Sequence, residues 1–208
     1  MEIHPPHRAI GSLKEALVHL TLITVGVLIA LSFEGIASWR EHRALVREAR
    51  ANLANEIRDN MNELSSRLKK IPDEQRNIDR ARQAVATLTE HHKLDMKNLE
   101  LSFVTAELRD ASHVTAQITG AFALMEYEEV KKYSGLYGKQ AMYLRLHDDA
   151  FQSLSRTLGF VDILGSEAPA ARELDDFRQQ LRLLGAALTV EEQIGRALLD
   201  EYKHVLQR

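Results

Sequence analysis

The chain has no cysteine. A disulfide framework, a thiolate zinc site and a cysteine nucleophile are therefore all excluded, while either redox compartment remains open. Prolines number 4 and glycines 10 in 208 residues, so little punctuates the chain and long unbroken elements are expected. There is no basic excess: 27 Lys and Arg stand against 30 Asp and Glu, for a formal net charge of -3. Phosphate-backbone binding across the chain lacks its electrostatic basis, and nucleic acid is not an expected partner. Also missing are a G-x-S-x-G nucleophile turn, a Walker loop and a G-x-G-x-x-G fingerprint, as are internal repeats and low-complexity tracts. No reaction can be read from these residues.

What is present begins with an apolar run. Between Glu15 and Glu34 lie 18 residues without a formal charge, ALVHLTLITVGVLIALSF. At about 1.5 Å per residue they would cover roughly 27 Å of helix, close to the thickness of a bilayer's hydrocarbon core. The run is apolar all round rather than on one face, which argues against a soluble core helix. A cleaved export signal is the stronger rival, with Lys14 ending a basic region and Gly35-Ile36-Ala37 offering a small-x-small site. Its apolar stretch is too long and its lead too mixed for that class. The expected arrangement is a tail over 1–15, a transmembrane helix over 16–37 and a helical-bundle domain over 38–208. Glu34, Trp39, Arg40 and Arg43 are expected at the membrane interface, where a carboxylate reaches headgroup water and an indole sits at belt depth. Gly26 and Ala30 form a small-xxx-small pair, a candidate helix-pairing face. His19, Thr21 and Thr24 are tolerable inside the span, because hydroxyls bond back to the helix's own carbonyls.

Orientation rests on flanking charge. Arg8 and Lys14 precede the run, and Arg40, Arg43, Arg47 and Arg50 follow it. The bias favours the large domain on the cytoplasmic side. The α-amino group adds to the first flank, however, and the arginines also belong to an amphipathic helix, so the count alone does not fix the side.

After Trp39 apolar or small residues recur at Val46, Ala49, Leu53, Ile57, Met61, Leu64, Leu68 and Ile71, always 3 or 4 apart. This spacing predicts a long amphipathic helix continuing from the anchor. Pro72 is expected to end or kink it. A second segment over about 73–91 repeats the pattern with Ile78, Ala81, Val85 and Leu88. Its basic residues Arg76, Arg80 and Arg82, with Arg67, Lys69 and Lys70 before them, read as a solvated face. Residues 91 to about 101 read as a connection, and a third helix is expected over about 103–124. A long fourth helix follows, with Val130, Tyr133, Tyr137, Leu144, Phe151, Leu154 and Leu158 on one face. Gly135 and Gly138 inside it each cost about 1 kcal/mol relative to alanine, which suggests a close backbone or ligand there. Gly165-Ser166 and Pro169 mark a turn. The final helix, about 169–207, carries Leu174, Phe177, Leu181, Leu184 and Leu188 in a coiled-coil-like seam. That seam is expected to shift phase near residues 189–195 before Ile194, Leu198, Tyr202 and Val205.

Four of the 5 tyrosines fall between residues 127 and 143. Tyr127, Tyr133 and Tyr137, with Gln140, are a candidate contact or ligand face, since tyrosine combines apolar area with a hydroxyl for a partner. Core packing accounts for the same residues. Glu201-x-x-His204, with Asp110-x-x-His113 as its imitation, fits half of a carboxylate-bridged di-metal bundle site. With 9 histidines and 30 acidic residues in the chain, one or two such spacings arise by chance. No metal or other cofactor is expected, and His147-Asp148-Asp149 reads as surface.

The phrase VGVLIAL at 25–31, followed by Trp39 and an Arg/Glu-rich helix, resembles an uncharacterised class of single-pass bacterial membrane proteins. The stretch TAQITGAFALMEYEEVKKYSGLYGKQ at 115–140 is similar to a second feature of that class, carrying Thr119-Gly120-Ala121, Tyr127-Glu128-Glu129-Val130, Tyr133, Tyr137 and Gln140. The tryptophan stands farther beyond Leu31 than is usual in the class. The resemblance implies a bacterial inner-membrane location and brings no activity.

The sequence thus leads to an all-α protein, an N-terminal transmembrane helix continuing into a long amphipathic helix and then an antiparallel helical bundle. It is expected to act by protein-protein interaction as a scaffold or accessory subunit rather than as an enzyme. Its expected partners are the lipid bilayer and either a second copy or another membrane protein. The alternatives are a single-pass small-molecule sensor and a di-metal bundle enzyme.

Overall fold

A computed structural model describes residues 13–91, 100–164 and 170–207. The described residues form four α-helices and no strand: α1 (Leu13–His91), α2 (Ala111–Ile118), α3 (Tyr127–Leu164) and α4 (Ala171–Leu206), with a 3-10 turn at Ala121–Leu124. The expected connection over 92–99 and turn over 165–169 lie outside them, as does most of the N-terminal tail. The chain divides into two compact units, Met1–Glu48 and Ala49–Arg208.

In the first unit, α1 carries an 18-residue window long and apolar enough to cross a membrane, none of it buried. Leu20, Leu22, Ile23, Val27, Leu28, Ile29, Leu31 and Phe33 are all exposed. Its polar side chains are bonded within the helix. The hydroxyls of Thr21, Thr24 and Ser32 donate to the carbonyls of Leu17, Leu20 and Leu28 at 2.8, 2.8 and 2.7 Å. His19 Nδ1 donates to the Glu15 carbonyl at 2.9 Å. A helix so built leaves no side-chain donor in the run facing an apolar solvent unpaired.

In the second unit, three helical seams converge. α1 buries Leu53, Ile57, Asn60, Leu64, Arg67, Ile71, Glu74, Ile78, Ala81 and Val85. α3 buries Leu136, Gln140, Tyr143, His147, Ala150, Leu154 and Thr157; α4 buries Phe177, Leu181, Leu184, Leu188, Glu191, Gly195, Leu198, Tyr202 and Val205. Each set steps by alternating 3 and 4, the spacing that keeps a seam facing its neighbours in a coiled coil. The seam of α4 therefore keeps its phase through Thr189 to Gly195, where a shift was expected. Glu191 and Gly195 carry it, and neither scores as apolar. On α3 the buried face is likewise rotated from the expected one: Phe151 and Leu158 are exposed, while Gln140, Tyr143 and His147 point inward.

Pro72 sits inside α1 without ending it. The proline removes one backbone donor, but Leu68 and Ile71 before it and Ile78 after it are buried on one face. Arg67 and Glu74 pair across it at 2.7 Å. Packing of that face overrides the local preference to break.

The third expected helix is the largest difference. Residues 100–110 are non-helical, and the helical part shrinks to α2 and the 3-10 turn. Gly120, at φ 75°, separates these two elements in the left-handed region that favours glycine. Lys132 bonds the Val205 carbonyl, Lys139 pairs with Glu201 and Phe160 lies against Phe177, so α3 and α4 run antiparallel. Arg50 pairs with Glu129, Glu56 with Tyr137 and Asn60 with Gln140, so α1 and α3 run the same way. The non-helical segment 100–110, a strap, lies along α1 and α3.

Candidate functional site

The strap buries Ala106 and Leu108 and exposes the residues between and beside them. No neighbouring strand takes its backbone groups; side chains do. Val104 N–H donates to Glu74 Oε1 at 2.8 Å, Ala106 N–H to His147 Nε2 at 3.1 Å, and Arg109 N–H to Asn60 Oδ1 at 2.8 Å. The Arg109 carbonyl accepts from Asn60 Nδ2 at 2.7 Å and Gln140 Nε2 at 2.9 Å. Glu107 N–H reaches Glu63 at 3.4 Å, and Ser112 N–H, in the first turn of α2, reaches Glu56 Oε2 at 2.8 Å. Glu56, Asn60, Glu63 and Glu74 are spaced by 4, 3 and 11 along α1, one stripe of a helix. That stripe and two α3 side chains supply the partners a buried backbone requires.

Beneath the strap lies a charged cluster. Arg67 is 1% exposed and Glu191 fully buried. Arg67 Nε and Nη2 donate to the two oxygens of Glu191 at 2.9 and 3.0 Å, while Nη1 donates to both oxygens of Glu74 at 2.7 Å. Tyr143 donates to Glu191 Oε1 at 3.1 Å, and His147 Nδ1 meets the same oxygen at 2.8 Å. The Arg67 guanidinium also lies 4.2 Å from the centre of the Phe103 ring. Burial pushes Glu191 up, but the donors from His147 and Arg67 outweigh it and hold its carboxyl below the ordinary range. Glu74 moves the other way, raised by burial despite Arg67. Burial works against the charge on Arg67, but its bonds to Glu191 and Glu74 prevail and raise it. Burial, aided by Glu191, also raises the Tyr143 hydroxyl.

A second polar layer lies toward residue 60. Asn60 and Tyr202 both donate to Gln140 Oε1, at 3.1 and 2.6 Å. Tyr137 donates to Glu56 at 2.6 Å, and its hydroxyl is pushed well up by burial and by that carboxylate. His113 stacks on Tyr137 with ring centres 4.5 Å apart, and burial holds it below the ordinary histidine range. Between the layers Gly195 admits Leu68 and Tyr143 so closely that an added Cβ would lie 2.8 and 3.0 Å from them.

The tyrosine face is thus split. Tyr137 and Gln140 are core residues with internal partners, Tyr133 is half-buried, and Tyr127 is 75% exposed and apart from them. Tyr133 lines an open groove of about 520 Å³ with Arg50, Ala54, Ile57, Glu129 and Lys132. A Cβ added at Gly135 or Gly138 would meet no other side chain or neighbouring element within 4 Å among the described residues, so the expected close contact there is not found. Glu201 pairs with Lys139 at 2.9 Å. Among the described residues no three His, Asp or Glu are grouped to hold a metal ion.

Arg67, read from sequence as part of a solvated basic face, and His147, read as surface, are both buried. Each occupies a seam position, where the aliphatic-only count passed over it. Asn60, Arg67 and Glu74 recur every seven residues, the one pattern that would have revealed them.

In the first unit Glu34, Trp39, Arg40 and Arg43 lie on α1 beyond the apolar run. The Arg43 guanidinium lies 4.7 Å from the Trp39 ring centre, a cation–π contact. Gly26 and Ala30 are one turn apart on its exposed surface.

Fold and site together define a helical protein with, among the described residues, one candidate membrane-spanning helix and a bundle whose polar core clasps its own backbone. No protein-family profile, characterised protein or solved structure matches the chain significantly.

Proposed function

We propose that this is a single-pass membrane protein whose helical bundle acts by binding another membrane protein or a second copy of itself, as a scaffold or accessory subunit without catalytic activity. The observation that carries the reading is the wholly exposed apolar run of α1, whose every polar side chain is bonded back to its own helix. Such a surface is costly in water and suited to hydrocarbon. The Trp39–Arg43 pair supports an interface beyond it. The resemblance at residues 25–39 supports a bacterial inner membrane, and the flanking arginines support a cytoplasmic bundle.

Carbonate washing of membranes should leave the full chain in the pellet, with release only by detergent. Release by carbonate alone would overturn the anchor. Crosslinking in native membranes followed by affinity purification should then recover a discrete partner or a homodimer, and a lone monomer would overturn the interaction. Alkaline phosphatase and fluorescent-protein fusions at the C-terminus report the side of the bundle.

The groove beside Tyr133 favours the sensor as a second reading, since its size suits a small ligand. A thermal-shift screen should find ligands whose effect disappears in Tyr133→Ala. A screen without hits removes that reading and leaves the first intact.

A further inference from the structure

We propose that His147 makes the strap a proton-sensitive clasp, closed while the imidazole is neutral and opened at Ala106 when it takes up a proton. The ring bridges two elements with opposite demands. Nδ1 meets Glu191 Oε1 at 2.8 Å, where only a donor fits, and Nε2 meets the Ala106 N–H at 3.1 Å, where only an acceptor fits. These partners select the neutral tautomer with its proton on Nδ1. A second proton must go on Nε2, and it would face the Ala106 N–H donor to donor. The acceptor is lost and the strap must lift at its centre.

Around the ring stand Glu191 from α4, Arg67 and through it Glu74 from α1, Tyr143 from α3, and the Phe103 ring from the strap. With imidazole neutral, one guanidinium faces two carboxylates, and the buried cluster carries one net negative charge. Protonation of His147 neutralises it. A proton on Nε2 forfeits the strap's hydrogen bond, a coupling that makes strap closure depend on pH. The ties at Val104 and Arg109 run to Glu74, Asn60 and Gln140. They confine the opening to the strap's middle and leave α4 in place.

The test is amide hydrogen exchange on the full chain in detergent micelles, corrected for the chemical exchange rate. Protection of the amides over 105–108, referred to the core of α4, should fall about tenfold between about pH 7.5 and pH 5.5, the scale of one lost buried hydrogen bond. His147→Gln keeps a donor for Glu191 and an acceptor for Ala106 without a titrating group, and should abolish that dependence. A wild-type strap insensitive to pH overturns the proposal. Equal pH dependence in the variant also overturns it and moves the response to Glu74. Should His147→Gln fail to fold, nitrogen NMR of histidine-labelled wild type decides. A neutral Nδ1–H tautomer beyond that of His19 must be present at about pH 7.5 and vanish over the interval in which the strap opens; its absence overturns the proposal.

Discussion

At the residue scale the energetics turn on Arg67. Its guanidinium engages two carboxylates with no exposure to water, so the attraction is strong and the desolvation cost is also large. Removing the cation alone leaves Glu74 and Glu191 buried and uncompensated. Arg67→Ala should therefore destabilise the bundle by about 3–5 kcal/mol in chemical denaturation, far more than loss of an exposed pair such as Arg76–Asp73. Glu191 adds a pH signature. Its carboxyl is held below the ordinary range in the folded chain, so its stabilisation is complete above the unfolded carboxylate range and is lost as pH falls through the folded value. The gap in melting temperature between wild type and Glu191→Gln should narrow as the solution is acidified below about pH 4. Glu74, raised by burial, works in the opposite sense and gains as pH falls. Gly195 has a steric role: Gly195→Ala would drive a methyl into Leu68 and Tyr143 and should cost about 1–3 kcal/mol in the same denaturation assay.

At the element scale the strap is held by side chains rather than by a sheet. Asn60 is its principal fastener, accepting a hydrogen bond from the N–H of Arg109 and donating one to the carbonyl of the same residue while also reaching Gln140. Asn60→Leu would suit the apolar seam and abandon both backbone groups of Arg109. Exchange at Arg109 should rise by about tenfold or more, the scale of the hydrogen bonds lost, while α4 protection is retained. This division of labour explains what could be read in advance. The existence and extents of α3 and α4, and the apolar line Leu53, Ile57, Leu64, Leu68 and Ile71 on α1, follow from spacings of 3 and 4. Arg67, His147 and Glu191 share those spacings, but an aliphatic count treats them as surface, so the polar layers were hidden in plain register. The strap was not legible at all. Its conformation depends on Asn60 and Glu74, which lie 49 and 30 residues from the backbone groups they bond, and no local window contains both ends. Pro72 misled for a related reason, since the packing that carries α1 past it comes from Leu68, Ile71 and Ile78 against helices far along the chain.

At the scale of the whole molecule the two units ask for different solvents. The described residues of the second unit bury a core, whereas among the described residues the large apolar side chains from Leu17 to Ile36 are exposed. A soluble protein rarely leaves so long a belt of leucine, isoleucine and valine open to water, and the back-bonded hydroxyls of Thr21, Thr24 and Ser32 remove the remaining polar objection to hydrocarbon. If that belt is the anchor, its centre should be the position least tolerant of charge. Leu28→Arg places a guanidinium near mid-span, at a cost of about 2.5–3.5 kcal/mol on the scale of translocon-mediated insertion. Trp39→Arg, at the expected interface, should cost far less because its head group reaches water. Glycosylation-tagged insertion of the two variants should therefore show a large loss of membrane integration for Leu28→Arg and little for Trp39→Arg. Equal integration of both would mean that the run lies outside the hydrocarbon, and the bundle would then have to find its partners without a tether.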